Sequence, residues 1–498
     1  MFESMPSVQP NNIQKNWFRF LGLTVLAGIS AGLYLLASSS NMGIGFPLDD
    51  AWIHQTYARN LATGGEWAFI PGEPTAGSTA PLWTLILAAG YLLHLSPFTW
   101  AFCLGIILLG TLAFQIDRGV GLFTQGTPIK FPLAGLLIAF EFHFAWSAVS
   151  GMETLLHALL IVSICLLLLR DNPPWLLLGL LCGVSTWIRP DGATLVAPIL
   201  LAAVITRKDW WTRICSCAWI IIGFLILFSP YLYFNYSLSG YLFPTTFYAK
   251  QAEYLNWQAG SILGRSVTVL LNFLTGPAVI LVPGFVIEAR DAIQKRHWVL
   301  LTIMLWMIGY VGLYMMRLPA YQHGRYLVPA MPVFFLISLM GFFKFLKGTQ
   351  QNTRFQRLIR SAWTSATILL CAGFWFLGMR AYTSDVEFIE TEMVDTAKWV
   401  SENLPTNAVV AAHDIGALGY FDAHSLVDLA GIITPEVIPF MLDETRLADY
   451  LYQQGVTHLV VFPDWYPTLT QDLPIIFTTG ARYTPSVGGK NLTVFEWR

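Results

Sequence analysis

The sequence predicts a polytopic α-helical membrane protein with a small α/β domain at its C-terminal end, and three observations predict it. Of 498 residues, 55% are hydrophobic and 12% charged, and mean hydropathy is +0.56, far from the balance of a soluble chain of this size. Apolar runs of roughly membrane length recur up to about residue 380. After about residue 381 the runs shorten and alternate between strand-like and helix-like patterns, as in an α/β unit.

The first run, roughly Trp17 to Ser38, lacks a small-residue cleavage site and reads as an uncleaved anchor, with Lys15 and Arg19 on its cytoplasmic side. Further apolar segments lie near 98–116, 131–149, 153–169, 174–189, 192–206, 214–234, 266–288, 298–316, 326–346 and 362–380. The stretch 81–94 is short, which suits an interfacial or re-entrant helix better than a span. Loop charge supports that choice. With 81–94 kept on the outer side, sixteen of the 28 Lys and Arg fall in cytoplasmic segments, including the cluster Lys344 to Arg360. Counting it as a crossing would put those basic loops outside.

The expectation is therefore about eleven spans plus juxtamembrane helices over residues 1–380, with a first outer loop at about 39–97. Residues 381–498 follow as an extracytoplasmic α/β domain, with an amphipathic helix over 387–403, strands at Val409–Ala412 and His458–Phe462, and a helix over 444–454. The predicted location is the cell membrane, multi-pass, N-terminus cytoplasmic.

Composition excludes some functions. No basic stripe is interleaved with exposed aromatics, so nucleic-acid binding is not predicted. The six cysteines fall in or beside apolar runs, which argues against a disulfide framework.

The polar motifs collect on the predicted outer face. Asp49-Asp50 and His54 open the first loop, followed by Gly77-Ser78-Thr79-Ala80-Pro81-Leu82-Trp83. Glu153 and Arg189 sit at the next outer turns, then Lys250, and finally His323 with Arg325-Tyr326-Leu327-Val328-Pro329. Acids and cations at one depth suit a reaction on an anionic lipid head group. A sugar on a polyprenyl phosphate would leave behind a phosphate held at the membrane by its tail. Transfer needs a base for the acceptor hydroxyl, for which either Asp49 or Asp50 is placed. It also needs positive charge on the departing phosphate, from Lys250, Arg325, Arg189 or a divalent cation (Mg or Mn) bound by Asp49 and Asp50, since adjacent carboxylates repel. Substrate contacts from Glu153, His54 and His323 complete the candidate set.

The bland readings are concrete. One of Asp49 and Asp50 could cap the helix that follows. Glu153 pairs as readily with His157, four residues on, as with substrate; Arg189 could snorkel; and His54 and His323 could serve as structural hydrogen-bonders. Farther on, His413-Asp414-Ile415-Gly416 and Val427-Asp428-Leu429-Ala430-Gly431 lack the glycine spacing of a dinucleotide loop, so buried strand-loop structure is expected, with acceptor contact as the alternative.

The acidic pair, the Gly77–Trp83 segment and the Arg325–Pro329 segment together resemble the GT-C superfamily of membrane glycosyltransferases, among which the terminal arabinofuranosyltransferases have the most similar first loop. The resemblance implies a GT-C-like fold, a polyprenyl-phosphate sugar donor, an extracytoplasmic glycan, lipid or protein hydroxyl as acceptor, and the first-loop acid, Asp50 or Asp49, as catalytic base. Trp210-Trp211 is preceded, not followed, by Asp, so the Trp-Trp-Asp motif of oligosaccharyltransferases is missing there. The rival reading is a transporter or flippase for a lipid-linked or small anionic solute. Such a protein would concentrate ionisable residues near the bilayer midplane rather than at one face.

Overall fold

A computed structural model describes residues 10–41, 43–123, 132–347 and 353–497. Part of the expected Lys344–Arg360 basic cluster (residues 348–352), residue 42 of the first loop and residue 131 of segment 131–149 lie outside the described residues.

The chain is a multi-pass helical bundle carrying one five-stranded sheet near its C-terminal end. Five described helices are long and apolar enough to cross a membrane: Gln14–Ser39, Pro97–Leu122, Trp210–Ser239, Trp298–Arg317 and the continuous run Arg354–Asn403. A sixth is available if Ile262–Phe273 and Pro277–Gln294, bent by 97°, count as one broken span. The other segments of the expected eleven are shorter or broken apolar helices among the described residues.

The reason is local. Segment 131–149 breaks into Leu133–Ala139 and Phe142–Ala148, because buried Glu141 leaves the helix to accept Phe144 N–H and pair with His143 Nδ1 at 2.7 Å. Segment 266–288 breaks at Gly276, whose φ of 73° ends one helix while Pro277 opens the next. Segments 153–169, 174–189, 192–206 and 326–346 form apolar helices of 10–17 residues. The stretch 81–94 is likewise short, ending at Leu92.

Close helix crossings replace the hydrophobic drive that lipid does not supply. A Cβ on Gly341 would stand 1.9 Å from Gly284 O, and one on Gly179 would stand 2.2 Å from Ile220 O, so these backbones touch where only glycine fits.

The expected helix over 387–403 is the far end of the long helix, wound through a π segment at Ile389–Val394. A small hairpin in the first loop supplies β1 (Ala68–Ile70) and β2 (Glu73–Pro74). The C-terminal sheet comprises β3 (Val409–Ala412), β4 (Ser425–Asp428), β5 (His458–Val461), β6 (Ile475–Thr478) and β7 (Thr493–Glu496), in the order β4-β3-β5-β7-β6. β3 runs parallel to both β4 and β5, whereas β7 is antiparallel to β5 and β6.

Alternation decides which face goes where. Val410, Ala412 and Val460 pack with the core shared by the helical bundle. Ala411, Leu459 and Val461 pack against Leu447 and Leu451 of helix Glu444–Gln453. The segments beyond the carboxyl ends of β3 and β4 reach the helical part: Ile415 just before the short helix Gly416–Phe421, Ala417 and Leu418 within it, and Ile433 belong to its core.

Candidate active site

Helix Asp49–Gly64 begins without a side-chain cap at Leu48, so neither first-turn acid serves as an N-cap. The two carboxylates diverge instead. Asp50 forms an ion pair with Arg325 and lies 3.9 Å from Lys250 Nζ. Asp49 accepts N–H groups from Gly416 (2.7 Å) and Ala417 (2.8 Å), which open the short helix Gly416–Phe421 after β3. A Cβ on Gly416 would meet Asp49 O at 2.1 Å, so the contact requires glycine.

A cavity of about 270 Å³ opens beside Asp50. Six of the sequence-predicted residues line it: Asp50, His54, Glu153, Arg189, Lys250 and Arg325. Asp49 and His323 do not. His323, in the left-handed region at φ 59°, turns its Nε2 to Asp385 Oδ2 at 2.8 Å, where Trp146 Nε1 also donates at 2.9 Å. That places it in a clasp on the long C-terminal helix rather than in the cavity.

Each wall of the cavity has a local cause. Gly151 at φ 76° makes the turn before Glu153, and Trp83 Nε1 fixes that turn by donating to Gly151 O at 2.9 Å. Thr246 Oγ1 donates to Gly77 O at 2.7 Å, tying helix Thr245–Glu253, which carries Lys250, to the Gly77–Trp83 segment. Thr245 Oγ1 donates to Ile432 O, and Ile432 itself lines the cavity. The loop carrying Ile432 is held by buried Asp428, which accepts N–H groups from Ala430 and Ile433 at 2.8 Å each.

The cations divide into two kinds. Arg189 is saturated: it donates to Glu153 Oε1 at 3.0 Å and to Asp191 at 3.3 Å, while Tyr310 and Tyr314 hydroxyls also donate to Asp191. Arg325 is not. Only 7% exposed, it keeps Nε and Nη1 without a hydrogen-bond partner among the described residues. Buried unpaired donors are costly, so they mark a place where an acceptor belongs. Tyr326 gathers the open pair, its hydroxyl contacting Lys250 Nζ at 2.5 Å and Arg325 Nη2 at 3.1 Å. Sequence reasoning missed Tyr326 and Asp191 as site residues, although each lies within two residues of one it singled out, Arg325 and Arg189.

Electrostatics separate the two acids as geometry does. Burial works against charge on Asp50, but Arg325 and Lys250 outweigh it and hold the carboxyl well below the usual range. Burial pushes Asp49 up to about 6, with Asp50 adding to the rise and the two N–H donors opposing it. Asp414, beside them, is raised by burial and by the charges of Asp49 and Asp50, and its Oδ2 has no hydrogen-bond partner among the described residues. His54 is held below its ordinary value, chiefly by burial, and its ring accepts or donates between Ser78 (3.2 Å) and Thr84 (3.3 Å).

Among the described residues no three His, Cys, Asp or Glu side chains gather to hold an ion, and the two acids of the pair face separate partners.

A family described as a domain of unknown function (DUF8728) matches residues 381–495. No curated protein matches the sequence. Solved structures do match in shape. ArnT from Cupriavidus metallidurans bound to undecaprenyl phosphate superposes with a TM-score of 0.57 at 14% identity, over 95% of this chain and 97% of that one. The Archaeoglobus fulgidus oligosaccharyltransferase AglB, in complex with an inhibitory peptide and a dolichol-phosphate, superposes at 0.60 and 11% identity, over 91% and 70%. The chain shares its fold with these proteins.

Proposed function

We propose that the protein is a membrane glycosyltransferase that takes a sugar from a polyprenyl phosphate and delivers it to a hydroxyl acceptor on the extracytoplasmic side. The observation that carries this reading is the convergence of Asp50, Lys250 and Arg325 on one cavity, with two donors of Arg325 left open. Structural neighbours captured with undecaprenyl phosphate and dolichol-phosphate support the donor class. The orientation rests on the basic residues of the predicted cytoplasmic loops.

In this reading the donor phosphate displaces the Asp50 carboxylate from Lys250 and Arg325, using the same charge-assisted geometry. Freed of its two cations, Asp50 regains basicity and faces the anomeric centre as general base. The acceptor oxygen bonds to the anomeric carbon as the bond to phosphate breaks. The proton passes to Asp50, and the electron pair leaves with the polyprenyl phosphate, stabilised by Lys250, Arg325 and the Tyr326 hydroxyl. Arg189, already satisfied, fixes the cavity wall through Glu153 and Asp191.

The test is release of free polyprenyl phosphate from polyprenyl-phosphate sugars by the purified protein in liposomes. Wild-type release lost in Asp50→Asn, with folding intact, supports the transferase. Solute uptake into the liposomes with no release by wild type would put the transporter reading in its place.

A further inference from the structure

A second cavity, about 430 Å³, is lined in part by the C-terminal domain. Helix Thr245–Glu253 connects the two. Lys250 lines the first cavity and Glu253 the second, three residues apart or about 4.5 Å along the axis. His413 lines the second cavity, and the chain continues directly through Asp414 to Gly416 and Ala417, the donors to Asp49.

The sheet explains why a cavity forms there. β3 is the first strand of the parallel part, β4 lies on one of its flanks and β5 on the other, so the strand order reverses between β3 and β5. Open α/β sheets bind ligands in the crevice outside the carboxyl ends of strands at such a point. His413 directly follows β3, and Trp465 belongs to the turn following β5; their rings meet edge to face at 5.1 Å.

Its lining has a definite chemistry. Tyr254 and Tyr321 tilt together at 5.5 Å, and Trp257 and Trp465 add two larger rings. Trp465 is 52% exposed and Tyr321 46%, so each ring keeps a large open surface at the cavity beside its aromatic neighbour, Phe462 for Trp465 and Tyr254 for Tyr321. Trp257 Nε1 is buried without a hydrogen-bond partner among the described residues. Polar groups at the wall include the Glu253 and Glu444 carboxylates and the His413 ring, which meets the Tyr466 hydroxyl through Nδ1 at 2.7 Å, whereas no Lys or Arg lines it among the described residues. Aromatic faces with carboxylate and imidazole acceptors suit a neutral polyhydroxylated ring, and the lack of cations disfavours a phosphorylated partner.

We propose that this second cavity is the acceptor site and that its occupant is a neutral sugar, the end of a glycan. This rests on the transferase reading, with the donor phosphate in the first cavity. The acceptor hydroxyl then approaches the anomeric carbon from the Glu253–His413 side. The C–O bond to the acceptor forms as the C–O bond to phosphate breaks, the hydroxyl proton going to Asp50 and the electron pair to the departing phosphate. The C-terminal sheet thereby supplies half of the acceptor site.

Saturation-transfer NMR on the full-length protein in nanodiscs, with a panel of neutral methyl glycosides as probes, tests this. At least one glycoside is expected to receive saturation, with the signal falling at least fivefold in Trp465→Ala and in Tyr321→Ala, whose exposed rings can be removed without opening the core. Lys250→Ala should leave that signal unchanged while weakening undecaprenyl phosphate binding. No saturation of any neutral glycoside by wild type, or equal signals in wild type and both aromatic variants, overturns the acceptor site. Glycoside binding without undecaprenyl phosphate binding by wild type would instead leave the cavity standing and remove the donor reading.

Discussion

Arg325 reaches across 275 residues of chain to hold the Asp50 carboxylate, yet keeps Nε and Nη1 unpaired in a buried setting. In the proposed reading this guanidinium receives the donor phosphate, whose oxygens would take the place of the resident carboxylate.

Asp50→Asn should separate binding from chemistry. Losing a general base lowers turnover by about 10²–10⁴-fold. Undecaprenyl phosphate should bind as tightly as to wild type or more so, because the competing carboxylate is gone. Rate and affinity falling together would contradict the assigned role.

Removing a cation acts the other way. Charge-assisted contacts are worth about 1.5–3 kcal/mol, so Lys250→Ala should weaken undecaprenyl phosphate binding by about ten- to a hundredfold. Isothermal titration in detergent micelles measures this directly, and unchanged affinity would remove Lys250 from the phosphate site.

Chelation should leave transfer nearly intact. Lys250 and Arg325 already supply the positive charge, and Asp49 is engaged by Gly416 and Ala417. Turnover after exhaustive EDTA treatment is expected within about twofold of the untreated protein. Abolition by EDTA, with recovery on adding Mg or Mn, would restore the metal role first considered for Asp49 and Asp50.

The Asp49 contact should register in stability against pH. Its folded-state pKa is raised to about 6, so ionisation opposes the folded state. The associated stability is complete below about pH 4 and is lost as pH rises through about 6, amounting to at most about 2 kcal/mol given partial exposure. Asp49→Asn should therefore flatten the decline in thermal midpoint between pH 5 and 7. Identical profiles for variant and wild type would contradict the burial of that charge.

Glu392 anchors the sheet to the long helix. Fully buried, it accepts from Thr479, Thr484, Asn491 and Leu492 N–H. Glu392→Ala strands four donors, two of them on buried residues, and should cost about 3 kcal/mol. Limited proteolysis should then cut within the C-terminal sheet first; protection equal to wild type would contradict the anchor.

The helical class and the cavity-lining set Asp50, His54, Glu153, Arg189, Lys250 and Arg325 were legible in the sequence for one reason. In a chain this apolar, polar residues at helix ends stand out, and topology confines them to one face. Span lengths were less legible. A run such as 131–149 is apolar apart from Glu141, His143 and Ser147, and only the burial of Glu141 reveals that it breaks. Long-range partners were not legible at all. Asp49 meets Gly416 across 367 residues, and His323 finds Asp385 on a helix that reads as an ordinary span. Motif spacing carries no information about either. The segments after β3 and β4 read as buried structure; their backbone N–H groups and carbonyls, which no side-chain pattern announces, are what they bring to the site.

The most direct measurement is undecaprenyl phosphate affinity for wild type, Asp50→Asn and Arg325→Ala under one set of conditions. If the phosphate takes the place of the Asp50 carboxylate, affinity should rank Asp50→Asn at or above wild type, and both at least tenfold above Arg325→Ala. Equal affinity in all three, or weaker binding by Asp50→Asn, would contradict the account.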